Sequence, residues 1–328
     1  MSKMILGKRT IGHVLEATPY SAVTLSAGDF DFRPYNITTS PEIEMAERFY
    51  ATSNFDRYES IAGKRMGTIG FSFDLAPYTI NSGASAATAP NWGRILESGG
   101  LLATAQTATG YTWDTSVHNT NKTATILMQD IEEGNPASAV GLGVTLSGAM
   151  CTLKLVLEAV GKPVRADVEF KGRISIADIA AGAVKIPTGQ STVKSPGVLS
   201  STITAFGSAV DIDSMELDFG NVLATIPAPA EAGGYLGVNI TDVNPNMTLD
   251  PSLKRDTAGD GFWTKWTNET TGAFSMTIGG NITLSLPAIQ INDAYKTADR
   301  DGNITNPITL NGTRHASLPV VRLLQGAL

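Results

Sequence analysis

The sequence predicts a mainly β protein, and three observations carry that prediction. Apolar and polar residues alternate with period two over full strand lengths at four places, which sets one apolar and one polar face on each strand. Charged residues make up only 17% of the 328 positions, and Thr, Ser, Gly and Asn take their place. Thr favours strands, while Asn and Gly close turns. Finally, one segment alone reads as helix.

In chain order, residues 68–75 place Ile69, Phe71, Phe73 and Leu75 on one face and Thr68, Gly70, Ser72 and Asp74 on the other. Residues 90–101 carry the short helix, with Trp92, Ile95, Leu96 and Leu101 as its apolar stripe, Asn91 as its cap and Gly99-Gly100 as its stop. Its expected job is to cover a barrel end or a sheet face. Residues 151–158 turn Cys151, Leu153, Leu155 and Leu157 inward, with Val156 the exception. Residues 164–171 set Val164, Ala166, Val168 and Phe170 against Arg165, Asp167, Glu169 and Lys171. The intervening stretch 158–163 reads as a hairpin. Residues 276–286 hold Met276, Ile278, Ile282, Leu284 and Leu286 around Gly279-Gly280, a hairpin or bulge signal.

Two low-complexity tracts, 80–89 and 186–204, read as long loops. They suggest a division near residue 200. Residues 1–200 then form a β domain with a projecting loop near 41–60. Residues 201–328 form either a second β subdomain or the completion of the same sheet system; no residue-by-residue repeat links the two parts.

Charge and motifs narrow the function. The formal net charge of -7 is opposite in sign to what tight phosphate binding needs. No window approaches the ~18 consecutive apolar residues of a membrane helix, and the opening residues lack the apolar core of a secretory signal. The one cysteine, Cys151, begins an apolar strand and reads as a buried structural thiol. His13, His118 and His315 are far apart and read as surface or turn residues. Asp299-Arg-Asp-Gly-Asn303 lacks the later ligands of a calcium loop and reads as a turn. Eight Asn-x-Thr triplets follow from turns that end in Asn and strands that begin with Thr. Neither a nucleophile elbow nor a phosphate-binding loop occurs. No catalytic, cofactor or metal residue is expected.

Two segments are candidates for self-assembly. The face Arg165, Asp167, Glu169 and Lys171 alternates in sign, which suits either a solvated face of paired charges or a surface that fixes register against another copy. The stretch 41–58 concentrates Glu44, Arg48, Phe49, Tyr50, Phe55 and Arg57 without helical or strand periodicity. It reads as a core-covering loop or as an arm that docks on a neighbour, since aromatic and Arg residues carry interfaces.

Taken in order, these pieces resemble the tail tube (major tail) proteins of tailed bacteriophages, most closely those of long, non-contractile tails. Gly7-Lys-Arg-Thr-Ile-Gly-His-Val-Leu-Glu-Ala-Thr-Pro-Tyr20 is similar to their opening strand and turn. Pro41-Glu-Ile-Glu-Met-Ala-Glu-Arg48, followed by Ser60-Ile-Ala-Gly-Lys-Arg-Met-Gly-Thr-Ile-Gly-Phe-Ser-Phe-Asp-Leu75, is similar to their loop and Gly-Lys strand. Trp92-Gly-Arg-Ile-Leu-Glu-Ser-Gly-Gly-Leu101 resembles their short helix, with Leu101 where an aromatic is more usual. The hairpin from Gly143 to Phe170-Lys-Gly172 completes the resemblance. It covers the first half of the chain well and the second loosely, through Ile240-Thr-Asp-Val-Asn-Pro245 and the late strands.

The resemblance implies a β-barrel or sandwich protomer with one short α-helix, assembled into stacked rings that form a hollow conduit for DNA ejection. It implies a virion protein made in the host cytoplasm, not an enzyme and with no cofactor. Its partners are copies of itself and other tail proteins (tape measure, terminator, distal tail). DNA would pass the lumen without specific binding, and a net acidic lumen would let it slide. The rivals are another self-assembling virion β protein, such as a decoration or capsid-associated protein, an adhesin-like β-sandwich, and a glycan-active enzyme.

Overall fold

The fold was derived from a computed structural model, which describes residues 4–46, 61–76, 91–107, 110–115, 122–132, 140–180, 183–186, 195–198, 202–231, 233–251, 261–294, 298–300, 303–305, 307–313, 315 and 318–326. Before residue 200 lie β1 (Met4–Leu15), β2 (Tyr35–Ala46), β3 (Ile61–Asp74), α1 (Gly93–Ser98), β4 (Leu101–Thr107), β5 (Gly110–Thr115), β6 (Ala124–Glu132), β7 (Gly141–Leu157) and β8 (Arg165–Ile179). After it come β9 (Ile203–Ala205), β10 (Ser208–Ala209), β11 (Ile212–Asp218), β12 (Asn221–Pro227), β13 (Tyr235–Val243), β14 (Asn246–Pro251) and α2 (Phe262–Thr267). The chain ends with β15 (Thr271–Ile278), β16 (Ile282–Asp293), β17 (Ala298–Arg300), β18 (Asn303–Thr305), β19 (Ile308–Gly312) and β20 (Arg322–Gly326).

The protein is mainly β, with a single large curled sheet. Its main path runs β10-β9-β15-β16-β19-β14-β11-β7-β8-β3-β2, so strands from both sides of residue 200 pair in one sheet. β7 is the branch point. Its first half pairs with β6, which pairs with β1, and its second half pairs with β11. At the split, Gly148 takes φ +57 and the β7–β8 register shifts between Ser147 and Met150, the bend that a bulge imposes on a long strand. Arg9 on β1 donates to the Ile37 carbonyl of β2 at 3.3 Å, so the run β1-β6-β7-β8-β3-β2 curls toward closure.

The four alternating segments fold as strands, and their apolar sets are buried. Ile69, Leu75, Cys151, Leu153, Leu155, Leu157, Phe170, Met276, Ile282, Leu284 and Leu286 all show no exposure. Phe71 stacks on Phe170 at 5.9 Å inside the curl. Each such side chain contributes roughly 1.5–3 kcal/mol by leaving water. Gly279 and Gly280, at φ +56 and +78, make the tight turn between β15 and β16, a backbone that only Gly adopts cheaply. Residues 158–164 close the β7–β8 hairpin. Part of the 186–204 tract packs on that hairpin, where Gly197 bridges Pro163 and a Cβ on it would sit 2.3 Å from the Gly161 carbonyl oxygen.

Three expectations need correction. The helix near residue 90 starts later, and Trp92 takes the cap position without a side-chain bond. Asn91 instead donates its amide to the Asp31 carbonyl at 2.8 Å, so it ties the helix entry to a neighbouring loop. A second short helix, α2, follows β14; its aromatic residues Phe262, Trp263 and Trp266 carry no 3.6-residue stripe long enough to register. Residues 41–46 are not loop but the end of β2, paired with β3 from Pro41↔Gly67 to Ala46↔Ile61. Pairing decided this, because an edge ribbon open to solvent needs no buried face.

Candidate functional site

The surface that the sequence singled out lies on the polar face of the sheet. Cross-strand register assembles a row from Tyr35 through Ser72, Asp167, Lys154, Asp218, Asn246, Asn311 and Gln290 to Thr271, spanning nine strands. A parallel row runs Asp74, Arg165, Val156, Glu216, Thr248, Thr309, Asp293. Period-two alternation makes these rows inevitable once the inward residues are fixed in the core. Between β2, β3, β8 and β7 the face sinks into a shallow depression of about 290 Å³, lined by Asn36, Thr38, Ser72, Lys154, Asp167 and Glu169 among others.

Ion pairs organise the charged half of this face. Arg165 grips Asp167 with both arms, at 2.8 and 3.0 Å, and its remaining nitrogen donates to Glu158. Ser72 donates to the same Asp167 at 2.6 Å. The Asp167 hydrogen bond raises the basicity of the Arg165 guanidinium, against a smaller lowering from burial. Lys162, and then Arg165, hold the Glu158 carboxyl below the usual carboxylate range. Lys154 reaches Asp218 at 2.9 Å and Glu216 at 3.2 Å. Partial burial, and then its hydrogen bond to Asp74 at 2.6 Å, raise the Tyr35 phenol. On strands β2 to β11, seven carboxylates of the face (Glu42, Glu44, Asp74, Asp167, Glu169, Glu216 and Asp218) stand against five cations (Lys64, Lys154, Arg165, Lys171 and Arg173), so among the described residues this part carries more negative than positive charge.

Of the sequence candidates, Arg165, Asp167, Glu169 and Lys171 stand side by side on β8. Three of them are paired within the chain, since Lys171 approaches Glu42 of β2 at 3.6 Å. Glu44 lies exposed near the end of β2, 4.0 Å from Lys64. Arg48, Phe49, Tyr50, Phe55 and Arg57 fall outside the described residues.

No protein-family model matches the chain, and no curated protein matches it either.

Beneath the face, the curl holds polar groups that the sequence reading placed elsewhere. His13 is buried in β1, with Nε2 3.0 Å from the Ser98 hydroxyl and its ring 5.5 Å from Phe170. Burial, with Arg94 nearby, pushes its pKa down to about 3. It is therefore not a surface histidine; β1 faces the core, where the neutral imidazole keeps Ser98 as the partner of Nε2 and leaves Nδ1 buried without one. Glu16 is buried too, and accepts from Thr123, Thr125 and the Gly148 amide at 2.5, 2.8 and 2.8 Å. It pins the turn after β1 to β6 and to the bend of β7. Cys151 sits as expected, unexposed, with burial pushing its thiol up. Among the described residues, no group of three His, Cys, Asp or Glu is placed to hold a metal, and no helix is long and apolar enough to cross a membrane.

The face also recruits residues that sequence reasoning missed. Lys154, Glu216 and Asp218 belong to strands far apart in sequence, and no local signal joins them. Glu42 and Lys64 were within reach, because Glu42-Ile-Glu44 alternates in period two and Ile43 is 49% exposed.

Proposed function

We propose that the chain is a structural virion protein, the major tail tube subunit of a tailed bacteriophage, which assembles with copies of itself into stacked rings. The observation that supports this reading best is the free edge of β2. Among the described residues this 12-residue strand pairs only with β3 and ends the main sheet path. A long unpaired edge is a template for strand addition by another chain, and soluble proteins blunt such edges unless they use them. Among the described residues no element covers 38–46, and the features there that blunt an edge are Pro41 and the carboxylates Glu42 and Glu44.

The acidic polar face fits the same reading. A wall with more carboxylates than cations repels phosphates, so DNA passing along it would not be held. Its cations are already engaged by Asp167, Glu158, Glu42, Glu216 and Asp218, which leaves little free positive charge for DNA to replace.

Negative-stain microscopy of the purified protein over rising concentration tests the proposal. Rings or tubes with a central hole are the expected outcome. A species that stays monomeric in sedimentation velocity at the highest soluble concentration overturns it.

A further inference from the structure

The β2–β3 ribbon outlives its support. β3 pairs with β8 only from Met66↔Arg173 onward, whereas its pairing with β2 continues back to Ile61↔Ala46. Just past Met66, the β2–β3 register shifts, placing Gly63 and Lys64 opposite Glu44. Such a bulge adds twist and swings the ribbon away from the sheet. What remains is an isolated two-stranded segment, which is marginal in water.

A second hairpin meets it there. β12 and β13 pair with each other and with no other strand among the described residues. The root of this hairpin is fixed by Asn221, which donates to the Gly99 and Cys151 carbonyls at 2.7 and 3.0 Å; its tip end lies on the bend of β7, where a Cβ on Gly148 would meet the Leu236 carbonyl at 2.8 Å. Its tip reaches the ribbon. The Gly233 carbonyl accepts from the Arg65 amide at 3.3 Å and the Lys64 ammonium lies 5.9 Å from the centre of the Tyr235 ring, while Arg173 of β8, opposite Met66, donates to Glu231 and ties the tip to the sheet beside the ribbon. Gly233, at φ +124, lies against the Arg65 side chain, where any larger residue would press on it.

We infer that the β12–β13 tip is a brace that holds the β2–β3 ribbon in the direction in which it docks on a second copy of this chain. This rests on the self-assembly reading above. The physical basis is preorganisation: a ribbon already fixed in its bound direction loses less conformational freedom on docking. Arg173 and Glu231 are positioning residues. They tie the tip to β8, which keeps Gly233 and Tyr235 within reach of Arg65 and Lys64, and they do not touch the neighbour.

The test compares wild type with Glu231→Ala, Arg173→Glu, the reversed pair Arg173→Glu/Glu231→Arg, and a variant with residues 228–234 replaced by Asn-Gly. Two readouts are taken: amide hydrogen exchange across residues 61–66, and the protein concentration at which light scattering reports assembly. The exposed pair predicts a loss of protection and a rise in onset of about threefold for each single change. The shortened tip should give about tenfold, because it removes the Glu231 and Gly233 contacts together, and the reversed pair should return near to wild type. Exchange in the far halves of β7 and β8, residues 151–157 and 165–170, should not move. The brace is overturned if the shortened tip leaves exchange at 61–66 unchanged, or if exchange rises while the onset stays at the wild-type concentration. A wild-type protein that never assembles instead overturns the functional reading, and with it the docking role, while the exchange readout still judges the contact itself.

Discussion

The two ends of the polar face are built alike and finished differently. From β2 to β11 its rows carry Asp74, Arg165, Asp167, Lys154, Glu216 and Asp218; from β14 to β15 they carry Asn246, Thr248, Thr309, Asn311, Gln290 and Thr271, with Asp293 the one charge. The inward residues of both ends merge in one apolar cluster, so core packing does not explain the change. What differs is the cost that covering each end would carry. Taking ion pairs out of water incurs a desolvation penalty that their attraction often fails to offset. Amides and hydroxyls are cheaper to cover when they find hydrogen-bond partners, as Asn246 does with Asn311 at 3.1 Å. The charged end is therefore suited to facing water, and the amide end to carrying another layer.

The comparison assumes that the two ends share one core, and this can be broken most forcefully at Leu217. Its side chain is unexposed on β11, where the ends meet. Leu217→Ala should cost about 3 kcal/mol through lost burial and a residual cavity. Urea unfolding should keep a single transition when followed by a lone Trp113 on one side or a lone Trp263 on the other. Separate midpoints would show two cores.

Acid should act first on the charged end. His13 has an ordinary pKa of 6.5 and a folded value of about 3. Between those values the unfolded chain takes up a proton that the folded chain refuses, so stability falls as pH drops from about 6.5 toward 3. At the low end the loss reaches up to about 4 kcal/mol. Glu158, whose carboxyl is also depressed, adds a loss in the same direction as it protonates. Urea midpoints measured between pH 7 and pH 4 should fall, and His13→Gln should flatten much of that fall. An unchanged slope in the variant would reassign the effect to the surface carboxylates.

The smallest effect sharpens the contrast at the surface itself. Asp167→Asn removes the partner of both Arg165 arms and should cost about 1 kcal/mol, less in high salt. Thr309→Val at the amide end should stay within about 0.5 kcal/mol and ignore salt. Equal salt dependence at both positions would erase the distinction, and thermal melts at low and high ionic strength measure it directly.

Strand character was legible residue by residue. Phe71, Leu153, Phe170 and Leu284 announced their faces through alternation alone, and Gly279-Gly280 announced a turn. Cys151 was legible as a buried thiol for the same reason. Such signals span only a few residues, because pleating repeats every two and a tight turn needs only its own dihedrals. The candidate site was half legible: the charge row of β8 stood out, whereas its partners did not. Lys154 meets Glu216 across 62 positions, and Arg9 meets Asp130 across 121. The burial of His13, the division of β7 between β6 and β11, and the reach of the β12–β13 tip to Arg65 were likewise decided by tertiary structure. A strand's own pattern says which face is apolar but not which strand lies beside it; that choice belongs to loop closure and to the packing of the whole core.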